Sequence, residues 1–554
     1  MTRLLLILSI LCAPCGSAFA VDREAFTFTN YDLNVRVEPE QQRLTVRGKI
    51  ALRNDSDSPQ KDVVLQISSS LDWKSIQLKG KPVQFLSHTY ASDVDHTGAL
   101  SEAVVTLPQP IAPHASVDLE IGYEGTIPRD TTRLTRIGVP DAPAKHSDWD
   151  EISKSFIAVR GAGYVAWYPV AMDSANLSEA NSVDETVGRW KVREARSSMT
   201  LRFQSSSDLP VFCSVAQLPS PANGQLSFHT DAIGLGIPTF VIADYQKLAV
   251  KQPEIQYLPQ QFDAANEYAQ VASNIDPPIS TKNGPPPLRV LGLPDTEASA
   301  FVTDGILLTP LKSPMGNNGV LDLVYAEAWQ HATSPRAWIQ DGLAHYAQVA
   351  FLEAVQSRSA AVDYLKVHQQ ALVEAEKQGS PGKETGNSLI NAPDDLYLQT
   401  KAMFVWSMLK DMMGRSLGDA LHGYEGADDK DATYVQRLVE KTVHRDLQWF
   451  FDDWVYRDRG LPEFRIVSVY PRPIVDAGYM VTVEIENTGL AGAEVPVTLL
   501  SPAGDVSKRL MVPAQSKASI RIETGTMPTG AVVNDGSVPE NDMTNDTYKI
   551  ETPN

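Results

Sequence analysis

The hydrophobic repeat changes period twice along this chain, and that order narrows the fold more than any other feature. From about residue 26 to 250 apolar residues alternate with polar ones: Tyr31, Leu33, Val35 and Val37; Leu44, Val46, Ile50 and Leu52; Val117, Leu119, Ile121 and Tyr123; then Met199, Leu201 and Phe203. A repeat of two marks strands with one buried face, and the stretches between them, rich in Pro, Ser, Asp and Gly, supply the turns. The character changes after Tyr245. "PQQFDAANEYAQVASNI" is helical in composition, and "DPPISTKNGPPPLRVLGLPD" is a Pro-rich connection into a short strand. From Leu321 to about Trp454 the chain reads as mainly helical, with Leu321, Val324, Tyr325, Ala328 and Trp329 on one helical face. Ser334-Pro335 predicts a helix start, with Ser as N-cap and Pro in the first turn, for a helix reaching Gln356. A polar loop follows at 376–388, and another helix begins around Asp394. Past "GLPEF" (460–464), Val481, Val483 and Ile485 alternate again, and "EVPVTLL" and "SIRIET" follow between turn signals.

A multidomain α+β protein is therefore expected. An N-terminal β-sandwich or saddle domain would span 21–250, a mainly helical domain 251–464, and a small C-terminal β-sandwich 465–554. At 554 residues the chain has room for these units. Its formal charge of −20 argues against a nucleic-acid partner, since phosphate backbones are held by clustered Lys and Arg. The opening "MTRLLLILSILCAPCGSAFA" has one charge at Arg3, an apolar run from Leu4 to Leu11 and small residues ending at Ala20. It reads as a signal peptide over 1–20, so the expected location is periplasmic or secreted, with no integral membrane segment after cleavage. Removing Cys12 and Cys15 leaves Cys213 alone, a buried thiol in the strand-like "LPVFCSV".

Five landmarks resemble the membrane alanyl aminopeptidase family, the gluzincin zinc metallopeptidases that include leukotriene-A hydrolase. "GYVAWYPVAMD" (163–173) resembles the Phe-Pro-x-x-Asp segment that ends the family's N-terminal β domain. "IPTFVIADYQ" (237–246) is similar to the strand leading into its catalytic domain. "WIQDGLAHYAQ" (338–348) resembles the helix with Trp-Leu-Asn-Glu-Gly-Phe-Ala-x-Tyr, and "KAMFVWSMLKDMMG" (401–414) the later helix that begins Tyr-x-Lys-Gly. "LQWFFDDWVYRDRGLPEF" (447–464) resembles the stretch closing that domain. The resemblance implies a thermolysin-like, mainly helical catalytic-type domain and relatives that remove N-terminal residues from peptides.

It also implies a zinc site whose parts can be checked one by one. In His-Glu-x-x-His, two imidazoles four residues apart share a helical face, a Glu from the next helix completes the set, and the motif's Glu serves as base. Aligned on this chain, the first ligand falls on Tyr325, the base on Ala326, the second ligand on Trp329 and the third on Asp341. The family's Gly-Ala-Met-Glu-Asn strand, which anchors the substrate amine, falls on "SAFVT" (299–303), with Val302 for the Glu and Thr303 for the Asn. The oxyanion-stabilising Tyr falls on Gln399, with Tyr397 half a turn earlier. No catalytic group is intact, no cofactor is expected, and Asp341 is the remnant ligand.

The replacements imply a pseudo-peptidase that binds a peptide or protein in its cleft. The alternative is an active metallopeptidase with a rearranged site around Asp341 and His345, which would take zinc with help from His331 or Glu327. Against it, Glu327 and His331 stand two residues beyond Tyr325 and Trp329, about 200° round the helix. Asp341 also has a plain structural reading, an acidic residue near a helix start with His345 as its i,i+4 partner.

Overall fold

A computed structural model describes residues 21–550, apart from 180–181, 206–208, 219–225, 251–252, 274, 276–287, 313–318, 333, 379–387, 393–394, 458 and 475–477. The signal peptide expected over 1–20, the Pro-rich part of the connection and most of the 376–388 loop lie outside the described residues.

The alternating segments form the expected strands. Phe26–Glu38 and Arg43–Asn54 lie in a seven-stranded sheet ordered Leu226–Thr230, Ser198–Ser205, Phe26–Glu38, Arg43–Asn54, Ser116–Thr126, Leu71–Leu78, Lys81–Pro82. A three-stranded sheet, Gln60–Ser68, Ala99–Ile111 and Gln84–Ala91, packs on it around Leu33, Val35, Leu65 and Val105. The "GYVAWYPVAMD" segment threads this core. Tyr31 and Tyr123 donate to the carbonyls of Pro169 and Trp167, and the Trp167 indole donates to Pro238 O.

The region up to 250 is not wholly β. It holds short helices α1 (Thr132–Arg136) and α2 (Asp141–Ser147), and the thirteen-residue α3 (Ser182–Glu194). Helix α3 follows from signals in its own sequence: Asp184 and Glu185 in the first turn, Lys191 and Arg193 in the last, and Val183, Val187 and Trp190 on its buried face.

A five-stranded sheet comes next, ordered Gln246–Lys247, Glu254–Tyr257, Arg289–Gly292, Ile306–Thr309, Phe301–Thr303. Its middle three strands are parallel, and the edge strand Phe301–Thr303 runs antiparallel to Ile306–Thr309. Both faces are covered, as such sheets require. Leu291, Ile306 and Leu308 meet Trp149, Phe156 and Val241 of the N-terminal region. Val290 and Leu307 meet helices α4 (Phe262–Ala272) and α5 (Gly319–His331).

Helices α6 (Ala337–Val355), α7 (Arg358–Gln378), α8 (Asp395–Tyr397), α9 (Met403–Met413), α10 (Ser416–His422) and α11 (Tyr434–Val443) follow. A π-helical turn, Leu398–Ala402, joins α8 to α9. Helix α6 starts two residues later than the Ser334-Pro335 signal predicts. Arg336 is extended (φ −114°, ψ 120°) and takes the cap position, with its guanidinium on Asp429 at 2.8 Å. Ser334 instead accepts the Arg336 N–H and lies 2.7 Å from the Tyr424 hydroxyl. Tertiary contacts to α10–α11 have set the boundary here.

Two sheets close the fold. One is ordered Phe464–Ile474, Gly478–Asn487, Ser516–Thr524; the other Val506–Val512, Ala493–Leu500, Gly530–Val533, Thr547–Lys549. Their inner residues Val483, Val497 and Ile522 join the helical core built on Trp338 and Trp406 in one apolar cluster. No helix among the described residues is long and apolar enough to cross a membrane.

A knot of acids fastens this sandwich. Glu540 Oε1 and Oε2 accept from Asn534 Nδ2 and the Phe464 N–H, and the carbonyl of Glu540 accepts from Gln369 on α7. Burial, and the facing carboxylate, raise the affinity of the Glu540–Asp546 pair for a proton. Burial likewise holds Glu194 up at about 7. An acid that keeps its proton when folded and loses it when unfolded makes stability fall with pH until the folded group ionises. Carboxylates held low, such as Asp55 beside Arg53, are ionised in both states by then and add no slope. His331 and Lys401, both pushed down by burial, act in the opposite sense, His331 below its ordinary 6.5 and Lys401 below its ordinary 10.5, and comparison with a carboxyl variant cancels both. The melting temperature is therefore expected to fall between about pH 7 and 9, and Asp546→Asn to flatten that fall. Calorimetry across this range checks it, and an unchanged slope in the variant would exclude the pair as its source.

Candidate functional site

Helices α5 and α6 lie side by side, and the positions where the resemblance implies a metal meet between them. The Tyr325 hydroxyl donates to Asp341 Oδ1 at 2.5 Å. The Tyr325 ring stacks obliquely on the imidazole of His345, centroid to centroid 4.6 Å, and lies 5.9 Å from the ring of Trp329. Asp341 is 7% exposed, so this is a packed contact with little room for solvent.

His345 is held from its far side. Its Nδ1 lies 3.2 Å from Gln348 Oε1, which also accepts from Tyr364, while Gln348 Nε2 donates to Leu321 O. That orientation makes Nδ1 the protonated nitrogen. Nε2 then turns toward Asp341 Oδ1 at 3.8 Å, beyond hydrogen-bond length.

Trp329 and Ala326 complete the position-by-position test. Ala326 is fully buried and carries no base. With the Gln340 amide turned oxygen to indole, Trp329 donates to it at 3.1 Å and the Gln340 NH2 donates to Ser334 O at 3.0 Å; the same indole lies 3.4 Å from Asp304 Oδ1. An indole N–H is a donor only, so this residue has no lone pair for a cation. Glu327 and His331 face elsewhere. Glu327 lies within electrostatic reach of Tyr268 on α4, and burial lowers the proton affinity of His331. Among the described residues no group of three or more His, Cys, Asp or Glu side chains is placed to hold a metal ion. The residues present do not fit zinc. The one carboxylate at the position is occupied by a phenol, and the two imidazole positions are aromatic.

The other two positions have been given structural work. Val302, on the edge strand, packs toward α4 and α5. Thr303 clips the strand to the N-terminal region, its hydroxyl donating to Ile237 O (2.9 Å) and accepting the Ile237 N–H (3.1 Å). Gln399 is half-buried in the π turn. Tyr397 donates to Glu376 on α7 at 3.2 Å, and the fully buried Lys401 donates to the same oxygen at 2.6 Å. Cys213 is fully buried, and burial pushes its thiol up to about 12.

Sequence reasoning missed what lies beside Trp329. A cavity of about 340 Å³ opens between the N-terminal region and the end of α5, with Asp304, Arg289 and Trp329 in its wall. Asp304 reads as half of an Asp-Gly turn signal, which concealed it. It does sit in a two-residue hairpin, where Gly305 takes φ +69°. The side chain reaches across to Gly236, where an added Cβ would lie 2.1 Å from Asp304 Oδ2, so only glycine allows the approach.

No protein-family model matches the chain, and no curated protein does. Among solved structures it is similar to the M1 zinc metallopeptidase from Deinococcus radiodurans. One such structure, at 16% identity and a TM-score of 0.47, is covered over 96% of its length by 79% of this chain. A mutant form of that enzyme bound to a Tyr-ser-ala substrate shows 15% identity with the same coverage and TM-score. At such identity and overlap no residue's role passes from those enzymes to this chain.

Proposed function

We propose that this chain is a non-catalytic, aminopeptidase-like binding protein, exported from the cytoplasm, whose cleft holds a peptide or a protein segment. The observation that carries the reading is the Tyr325–Asp341 hydrogen bond at 2.5 Å. It fills the position a metal would need with a side chain that satisfies the last acidic ligand. Four further features support it: a tryptophan at the second imidazole position, an alanine at the base, a valine at the amine anchor and a glutamine at the oxyanion donor. Each removes a different part of the hydrolytic apparatus. The five motifs in family order support descent from a peptidase, and the apolar N-terminal segment supports export.

The test is metal analysis of the purified mature protein, alongside hydrolysis of aminoacyl-arylamides with zinc added. The expected result is no stoichiometric zinc and no turnover. Stoichiometric zinc that is lost on Asp341→Ala, or arylamide cleavage that is lost with it, would overturn the proposal.

A further inference from the structure

The cavity beside Trp329 contains an electrostatic arrangement that the protein's own contacts leave incomplete. Asp304 and Arg289 both line it, and both are half-buried. No cation lies within ion-pair distance of the Asp304 carboxylate among the described residues, and its one polar contact there is the Trp329 indole at 3.4 Å. That contact is long, and the indole is better satisfied by Gln340. Arg289 has no ion pair or side-chain hydrogen bond among the described residues either, although a guanidinium carries five donors. The two are not within ion-pair distance of one another. Burial holds the Asp304 carboxyl up at about 6, with the Trp329 indole and the more distant charge of Lys191 only partly offsetting the lost water.

The fold places the two charges deliberately close. Arg289 is in register with Ile306 on the neighbouring parallel strand, and its N–H bonds to Gly305 O. Asp304 precedes that glycine in the hairpin. Asp304 thus stands two residues before Ile306, the register partner of Arg289. Arg289 shares its strand face with Leu291, the face turned to the N-terminal region. The rest of the wall is mixed: Trp329, Val215, Ile233 and Leu235 are apolar, while Ser214 and Gln340 are polar. The volume falls at the small end of the range for ligand pockets.

We propose that this cavity is a receptor for a small zwitterion, an amino acid or short peptide whose ammonium pairs with Asp304 and whose carboxylate pairs with Arg289, its side chain lying on Trp329. The site deepens the binding function proposed above by naming a ligand class. It is separate from the Val302 position, which packs on the α4–α5 side of the sheet. Ammonium–carboxylate and guanidinium–carboxylate bonds in a half-buried cavity are the stronger kind of hydrogen bond, and the guanidinium can grip both carboxylate oxygens. Pairing would also draw the Asp304 carboxyl fully into its ionised form.

The probes are the dipeptide alanyl-leucine, its N-acetyl form and its C-terminal amide, titrated calorimetrically into the full chain, with the products analysed after each run. The free dipeptide is expected to bind, and either cap to weaken binding by about tenfold or more. Asp304→Asn is expected to abolish the penalty for acetylation alone, and Arg289→Gln the penalty for amidation alone. Equal binding of all three probes, or no binding of any at about 1 mM, would overturn the proposal. The comparison of probes on the unaltered chain stands even where a variant fails to fold. Zinc-dependent hydrolysis of the dipeptide would sink the non-catalytic reading and leave the receptor intact; cap-independent binding without hydrolysis would do the reverse.

Discussion

Arg160→Met lowers the unfolding free energy by about 3–5 kcal/mol, the range for stripping one partner from a buried ion pair. Arg160 is 1% exposed and Asp150 not at all. The guanidinium donates to Asp150 through Nε (3.0 Å) and Nη2 (2.7 Å), and to Ser147 O through Nη2. Its faces are closed by Trp149 and Tyr164, at 3.8 and 3.7 Å. Methionine fills much of that volume but leaves Asp150 a buried anion whose one remaining donor among the described residues is the backbone N–H of residue 160. The loss is measured by chemical denaturation. Asp150→Asn added to Arg160→Met recovers part of it, because the uncompensated charge is the main penalty. A double variant no better than the single one would show that packing against Trp149 and Tyr164 carries the energy.

A second large loss, about 1.5–3 kcal/mol, is expected of Glu376→Leu, which removes a carboxylate that the buried ammonium of Lys401 donates to. Lys401 is fully buried, and burial is the leading reason its proton affinity is lowered, with Glu376 opposing. The ammonium also faces the rings of Tyr397 and Trp454. Lys401→Met costs less, since it removes the charge whose burial was unfavourable and leaves Glu376 at the edge of solvent, with Tyr397 still donating. Unfolding curves for the two variants should separate in that order. A Lys401→Met variant as unstable as Glu376→Leu would mean the pair acts through shape.

Much of the architecture was legible because burial repeats locally. The alternation at Tyr31, Leu33 and Val35, and at Val481 and Val483, records strands directly, since a strand cannot bury one face without it. Helix α3 was legible too in its end charges and its Val183–Val187–Trp190 face, but it was overshadowed by strands on both sides. The start of α6 was not, because Arg336 is held by Asp429, far along the chain. The same holds for the candidate site. That Tyr325, Trp329 and Asp341 fall where the resemblance implies ligands could be read by aligning residues, whereas the bond from Tyr325 to Asp341 needed coordinates. Asp304 was hidden altogether: next to a glycine it reads as a turn, and its significance depends on Gly236 and Arg289 on other segments.

The acid knot of the C-terminal sandwich has a mechanical consequence. Glu540 binds the backbone of Phe464, where the first strand of that unit begins, while Glu463 accepts from Asp542 N and Asn545 near its close. Entry and closing segments are thus riveted at one point, and Gln369 fixes that point to α7. A load applied to the sandwich would reach the helices through this rivet as well as through the apolar core that the two share.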